Sequence, residues 1–484
     1  MAKFDAKNFS DRSRLNDKYD VIIVGAGIAG LICGTFLAKS GKKVLIAEQH
    51  YIPGGYCTSF KRKGFIFDSA VHHIGGCGKW SIVGRCVNEL GLEIDFHHLD
   101  PMDNLIFPSF SVEIPADIDK YKENLQLMFP DEKECIDGFF KELTKLYRSI
   151  INNKADSPLI NKYKDRTYLE TLDCFFSNPK LKTILAGQWG YIGSLPGKVS
   201  TIGMCQMLIN YLKDGAYFPV GGTQEFTNAI VERYTELGGN LILSAKVEKI
   251  LTDDSKVIGI VLAGEKEINA DVIVSNVDAK QTFTTLISSG VDNSFIERIG
   301  KMKESISFYL LYLGVSADLN LTGLKRGFYY QTDGPYTRDN WKYISVPTAV
   351  DKALAPENKQ IIFTLVSLKK AHDEIENWEE RKDDYTESTI DYLTRFVPGL
   401  RNQIEVIEAA TPKTLKRYTL NSKGAAYGWA VTNDQIASNR LSHITPLKGL
   451  YLAGHWTTPG PGISSVVSSG WKAANIILKD YITN

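Results

Sequence analysis

Three glycines at positions 25, 27 and 30, in the hexapeptide GAGIAG, follow an apolar run over residues 19–24 and open a segment of helical character over 31–39. In such a strand–turn–helix unit the first glycine permits the tight turn. The second lets a pyrophosphate approach the backbone, and the third lets helix pack on strand. The helix N-terminus then faces the phosphates with amide donors and partial positive charge. A second apolar run, KKVLIAE, ends at Glu48, an acid placed to accept hydrogen bonds from ribose hydroxyls and to disfavour a 2′-phosphate. Just beyond it, Pro53-Gly54-Gly55 forces another close backbone approach. Near the other end, GHWTTPGPGIS stands between a short apolar strand over 449–453 and a final helix.

Other reactive side chains have two readings each. His72 and His73 follow a strand over 64–68; one could donate a proton or polarise a substrate, or both could be hydrogen-bonded loop residues. His97 and His98 are adjacent, so a strand would point them to opposite faces, and no His pair has the i, i+4 spacing of a metal site; no metal is expected. Cys57, beside the glycine pair, reads as a small buried residue rather than a partner for a cofactor. Phe308, Tyr309, Tyr312, Phe328, Tyr329 and Tyr330 suit a tunnel for a long apolar molecule and a sheet core equally well. The basic clusters at 61–63 and 413–417 are solvated turns or a contact with an anionic membrane surface.

The elements that must position these groups are legible from the pattern. Residues 1–18 form a polar extension with no apolar segment of the kind a secretory signal needs. The run 19–48 is βαβ, which implies a parallel sheet; its apolar stretch over 21–38 carries glycines that a membrane span would not need. Residues 89–211 read as mixed polar and aromatic helices. A helix follows over 223–237, capped by Thr223 and ended by Gly238-Gly239. Strands are expected at 240–244, 257–263 and 271–275, then at 307–315, 328–331, 343–346 and 361–368, the last four forming a second, antiparallel sheet. The 484 residues suit about three domains, or two large ones, with ample length to bury a core. With 56 basic against 56 acidic side chains, nothing favours nucleic acid. Seven cysteines, without a C-x-x-C pair, argue for a reducing compartment.

The segments that carry these features resemble the phytoene desaturase, carotenoid isomerase and retinol saturase family of flavoproteins. The matching pieces include YDVIIVGAGIAGLICGTFLAKSGKKVLIAEQHYIPGGYCTSF, GFIFDSAVHHIG, AYFPVGGTQEFTNAI and LKGLYLAGHWTTPGPGISSVVSSG, in the family's order from residue 19 to 470. The resemblance implies an extended FAD. Gly25, Gly27 and Gly30, with Ala26 and Ala29 in the same turn, would hold its pyrophosphate, and Glu48 the adenosine ribose. Gly54 and Gly55 would pass under the ribityl chain, Val247 would touch the adenine, and Gln49 and Thr58 would also contact the cofactor. Gly454 would sit beside the pyrophosphate, while Gly462 and Ile463 would bring amides to the flavin pyrimidine edge. One position departs from the pattern. His455 stands where many FAD proteins carry Asp, so a ribityl-binding carboxylate is missing.

The expected fold is therefore α/β: a Rossmann-type FAD-binding domain drawn from 19–90, 220–285 and 425–484, with an inserted mixed α+β substrate domain from 91–219 and 286–424. The expected function is FAD-dependent exchange of hydride at C–C and C=C bonds of an apolar isoprenoid or polyene, by desaturation, saturation or cis/trans isomerisation. Gly221-Gly222 lacks the spacing of a second dinucleotide turn, so electrons would pass through a diffusible donor or acceptor. The protein would be cytoplasmic, with peripheral membrane contact. A flavin amine oxidase and a flavin-free prenyl-lipid carrier remain as alternatives on the same fold.

Overall fold

The computed structural model describes residues 5–152, 157–287, 289–316, 319–334, 341–368 and 377–483. Its first sheet is built around strand β1 (Lys18–Val24), helix α1 (Ile28–Lys39) and strand β2 (Val44–Ala47). From Val21 onward β1 is buried on both faces, as a strand covered by helices on either side must be. Among the described residues the sheet has seven strands, in the order Asn240–Ile242, β2, β1, Lys266–Ser275, Lys256–Leu262, Val247–Asp253, with Leu450–Leu452 also paired to Lys266–Ser275. The pairs among Asn240–Ile242, β2, β1, Lys266–Ser275 and Leu450–Leu452 are parallel; the other two strands add as an antiparallel ribbon.

Helix α1 is apolar all round, and Ile28 to Ala38 are buried. The C-terminal helix Ile463–Thr483 crosses it closely: Phe36 stacks on Trp471 at 4.8 Å, and a Cβ on Gly470 would lie 2.3 Å from the Ala29 carbonyl oxygen. The apolar stretch 21–38 is thus a β-turn-α unit inside the protein. Among the described residues no helix is long and apolar enough to cross a membrane. The polar extension is anchored by Arg12, whose Nη1 donates to Ala263 O at 2.5 Å, and by Phe9 O, which accepts from Leu243 N.

The second sheet runs Ile404–Ala410, Phe308–Ser316, Lys359–Ser367, Trp341–Ser345, Gly327–Tyr330, Asp103–Ile106, Ser111–Ile114. The expected antiparallel arrangement holds for every neighbouring pair except one: Gly327–Tyr330 and Asp103–Ile106 are parallel. Two of these strands, and Phe96–Leu99 as well, lie inside the stretch read as helical. They are four residues long; Asp103–Ile106 and Phe96–Leu99 find ladder partners far away in sequence, at 327–330 and 216–219, and Ser111–Ile114 joins the sheet only by pairing with Asp103–Ile106, so local pattern carries little trace of them. The helices Lys133–Ile151 and Thr201–Asp214 do fall where that reading placed helical segments.

Period-2 geometry sorts the aromatic residues that the sequence left open. Phe308, Tyr312, Phe328 and Tyr330 face the interior shared with Trp189 and Trp341, whereas Tyr309 and Tyr329 face the opposite core, against helix Trp378–Thr394.

Helix Thr223–Glu236 matches the expected span, but Thr223 is not its own cap. Gly222 holds the cap position at φ +98°, and the capping oxygen comes from another element: Asp68 Oδ1 accepts from Thr223 N at 2.8 Å, Thr223 Oγ1 at 2.9 Å and Ser59 Oγ at 2.6 Å. Burial pushes the Asp68 carboxyl up to about 6 against those three donors. Asp68→Ala strands buried donors at a helix start, so a stability loss of about 2 kcal/mol or more is expected in urea denaturation.

Candidate functional site

At the C-terminal edge of the first sheet the glycine turn and the last strand converge on one side chain, Asn276. It follows strand Lys266–Ser275, which lies between β1 and Leu450–Leu452. Asn276 Oδ1 accepts from Gly30 N at 3.0 Å, and its Nδ2 donates to Ala453 O at 2.9 Å. A Cβ on Gly27 or on Gly30 would stand 2.8 Å from that Oδ1, and one on Gly30 also 2.4 Å from Gly25 O. Gly25 turns at φ +98°, as the tight-turn reading requires. Gly54 joins the turn through its N–H, which donates to Ala26 O at 2.8 Å, and Gly55 lies over Gly27. Ala29 and Gly454 approach each other, and the Gly454 N–H donates to Ser469 Oγ at 2.9 Å. Helix α1 starts on Gly27, with no side chain of its own to cap it and no acid in its first turn.

Glu48 ends its strand beside this turn. Its Oε2 accepts from Ala26 N at 2.7 Å and its Oε1 from His50 N at 2.8 Å; burial raises its pKa against those amides. Glu48 N and O bond to Ile242 O and Ala245 N, which brings the segment leading to Val247 alongside. Gln49 turns away, donating through Nε2 to Tyr418 O at 3.1 Å. Thr58 closes the loop after the glycine pair, bonding to Gly55 O and Ser69 Oγ.

At the far end, Gly462 opens the last helix at φ +93° with nothing within 4 Å of where its Cβ would be. Ser464, next to Ile463, approaches Gly76: a Cβ there would lie 3.3 Å from Ser464 Cβ. The intervening loop is held by Arg440, a buried guanidinium that donates to Thr457 O, Gln435 O and His455 O. Burial, then Arg440, lowers the His455 pKa to about 3, so the position that lacks its carboxylate holds a neutral imidazole.

From Thr58 to Gly76 the chain forms a wall with two sides. One side meets the glycine turn; the other lines a narrow cleft bounded by Ile66, Phe67, Val71, Phe218, Tyr312 and Phe363. Its polar members are committed to the protein itself. Tyr312 OH donates to Ser69 O, Asp68 caps a helix, and His72 Nδ1 lies 3.4 Å from Ala70 O. Both histidines of the pair are in this wall. His72 lies against Tyr343, ring centroids 4.1 Å apart, and His73 packs edge-on to Tyr191 and Tyr211 at 5.1 and 5.4 Å. Burial lowers His72 to about 4 and His73 well below its ordinary value, so both are neutral at physiological pH. His97 and His98 lie apart, on strand Phe96–Leu99. Cys57 is buried, its thiol pushed up to about 12 by burial, and is not a reactive thiolate.

The sequence reading missed Asn276, Arg440 and the group Asp103, Tyr191 and Tyr343. Asn276 had one local mark: a polar residue directly after a buried parallel strand, at the edge where open α/β sheets bind ligands. Asp103, Tyr191 and Tyr343 had none, because they are distant from one another in sequence, and Arg440 had none, because its partners are backbone carbonyls of irregular loops. Gly221-Gly222 is not a second phosphate turn. Asp351 accepts from Gly221 N at 2.7 Å and Asp68 from Thr223 N, so carboxylates already occupy that helix start.

Residues 28–478 match the family model of flavin containing amine oxidoreductases. The chain is 26% identical over 519 residues to prolycopene isomerase 2, chloroplastic, of an Oncidium hybrid cultivar, covering 96% of this chain and 84% of that one. It is 26% identical over 508 residues to all-trans-retinol 13,14-reductase of Danio rerio, covering 91% and 83%. Its fold is similar to that of an oxidoreductase from Methanosarcina mazei, with a TM-score of 0.69 at 18% identity over 95% of this chain and 100% of the other. The cofactor of this family fits an observation made above: an acid-free helix start on glycine, at a turn where added Cβ atoms would collide with backbone or Asn276. The chain belongs to the flavin-containing amine oxidoreductase family and is an FAD-dependent oxidoreductase with a Rossmann-type nucleotide domain.

Proposed function

We propose that this enzyme acts on the C–C and C=C bonds of a long apolar polyene of the isoprenoid class. One observation carries the reading: the cleft behind the wall from Thr58 to Gly76 is lined mainly by aromatic and aliphatic side chains, and its one carboxylate, Asp68, is spent on capping a helix, so its surface suits apolar contact with a hydrocarbon chain better than recognition of an amine. The relatives named for prolycopene and for retinol support the same substrate class.

Gly25, Ala26, Gly27, Ala29 and Gly30 hold the FAD pyrophosphate on the α1 N-terminus, and Glu48 takes the adenosine ribose while Val247 borders the adenine; Gln49, bonded to Tyr418 O, is left out of this set. Gly54, Gly55 and Thr58 follow the ribityl chain. Gly454 flanks the pyrophosphate, and Gly462 and Ile463 present the last helix's N-terminus, where it stabilises negative charge. FAD supplies hydride transfer when bound. The protein orients the polyene and keeps water from the reacting bond. The neutral His72 and His73 are the proton-handling residues nearest this wall. Electrons enter or leave through a diffusible partner, a reading supported by the carboxylates seated at the only other glycine pair that opens a helix among the described residues. The basic stretch 61–63 gives limited support to membrane contact, since Arg62 pairs with Glu408 at 2.8 Å and Lys63 bonds to Glu405 O.

The test is anaerobic mixing of the FAD-loaded enzyme, oxidised and dithionite-reduced, with C40 and C20 polyenes and with mono- and diamines, followed by flavin absorbance and chromatography of the polyenes. Polyene isomerisation, or polyene-dependent flavin oxidation or reduction with matching bond changes, is the expected result. Flavin reduction by amines with unaltered polyenes would replace this reading with an amine oxidase.

A further inference from the structure

Beneath the histidine wall lies a buried carboxyl that no ion pair explains. Asp103, which begins strand Asp103–Ile106, is 1% exposed. Its Oδ2 accepts from Tyr191 OH at 2.5 Å and Gln188 Nε2 at 3.2 Å, and its Oδ1 from Tyr343 OH at 3.4 Å. The same Tyr343 hydroxyl lies 3.5 Å from His73 Nδ1. One hydroxyl is therefore within reach of both an acid and an imidazole; separations of this length tighten when a site fills. The charged and titratable groups around Asp103 are Tyr191, Tyr211, Tyr330, Tyr343, the His72–His73 pair and Arg326, whose guanidinium is bonded to Pro101 O and Met102 O rather than to the carboxylate.

We propose that Asp103, Tyr343 and His73 form a proton relay serving the substrate side of the flavin site. It rests on the polyene reading and adds to it the source of the proton that accompanies hydride at a C=C bond. The transfer balances. Asp103 gives its O–H proton to Tyr343 Oη, Tyr343 passes its own proton to His73 Nδ1, and His73 releases one from Nε2 to the substrate carbon next to the one that receives hydride from reduced flavin. Tyr343 ends unchanged, His73 ends as its other tautomer, and Asp103 ends as a carboxylate that regains a proton from water. Dehydrogenation runs the same path backwards. His73 Nε2 has no hydrogen-bond partner among the described residues, and His73 stands three residues before Gly76, which approaches Ser464 at the start of the last helix.

The charge states suit such a path. Burial, against the Tyr191 hydroxyl and Arg326, pushes the Asp103 carboxyl up to about 7. An acid whose folded pKa lies above its unfolded value of about 3.9 binds the extra proton in the native state, so its contribution to stability falls as pH rises from about 4 to about 7 and is level beyond.

Two independent readouts test this on the FAD-loaded protein. In denaturation, Asp103→Asn should gain stability over the parent as pH rises, the gain levelling off above about 7; in a Tyr343→Phe background the levelling moves to higher pH, because the lost hydroxyl lowered the Asp103 pKa. In turnover, Tyr343→Phe should reduce kcat by about 100-fold with KM and FAD content unchanged, and Asp103→Asn should abolish the kcat ionisation near 7. A pH-independent stability difference, or a levelling point that ignores Tyr343, would overturn the relay even if no polyene is turned over. An unchanged kcat profile in Asp103→Asn would overturn it where polyenes do react. Failure of the parent enzyme to act on any polyene is a failure of the functional reading, and the denaturation series then decides the relay alone.

Discussion

Gly30→Val protein is expected to purify without flavin. Even the first carbon of the new side chain would stand 2.4 Å from the Gly25 carbonyl oxygen and 2.8 Å from Asn276 Oδ1, and the branched remainder must go further into the same turn. Neither neighbour is the end of a flexible chain: Gly25 O is backbone, and Asn276 is tied at both ends of its amide. Overpacking of this kind costs about 1–3 kcal/mol or more. Since every 1.4 kcal/mol is tenfold in affinity, and the displaced turn is the proposed seat of the pyrophosphate, FAD binding should weaken by about 100-fold or more. Flavin absorbance of the purified protein and titration with added FAD measure it. Gly41→Ala serves as the control: it lies on the same unit, is strained by its φ of +79° but has nothing within 4 Å of its added Cβ, and retention of FAD there excludes a general effect of a destabilising glycine change. A Gly30→Val protein that holds FAD normally would remove the pyrophosphate from this turn.

The second large effect is expected at Asn276, which couples the turn to the last strand. Asn276→Ala leaves the Gly30 N–H without its acceptor and Ala453 O without its donor. Unpaired buried groups cost about 1–3 kcal/mol each, so a loss of roughly 2–4 kcal/mol is expected in denaturant titration. Asn276→Asp separates stability from binding. It keeps an acceptor for Gly30 N–H but sets a negative charge beside the proposed pyrophosphate, so FAD affinity should fall further than stability does. Equal losses in both measurements would reduce Asn276 to a packing residue.

The two predictions differ in where they were visible. Gly25, Gly27, Gly30 and Glu48 are close in sequence, and their work is local: a turn, a helix start and the end of the next strand are all set within thirty residues, so residue type and spacing suffice to read them. The same holds for helix Thr223–Glu236, whose span follows from its pattern and its glycine end. Its cap does not. Asp68 comes from 155 residues away to accept from Thr223, and a local rule naturally credits the nearest hydroxyl instead. The short strands Phe96–Leu99, Asp103–Ile106 and Ser111–Ile114 were missed for a related reason: four residues carry little periodicity, the first two are decided by pairing with remote strands, and the third only extends the second.

The aromatic cluster shows the boundary within a single strand. Composition alone says that Phe308, Tyr309 and Tyr312 will be buried; alternation says that Tyr309 leaves on the other face; only the presence of helix Trp378–Thr394 on one side and the glycine wall on the other makes one face a core and the other a neighbour of the cleft. The turn, helix start and strand end of the nucleotide half were therefore legible in residue order, because glycine and one acid encode that backbone geometry locally, and it is there that the proposed phosphate and ribose contacts lie. Asn276, Arg440 and the path from Asp103 through Tyr343 to His73 emerged only from the folded chain. For Asn276 and the Asp103–Tyr343–His73 path the chemistry depends on partners brought together from distant segments, and for Arg440 on burial among loop carbonyls; neither burial nor long-range approach is written in any one segment.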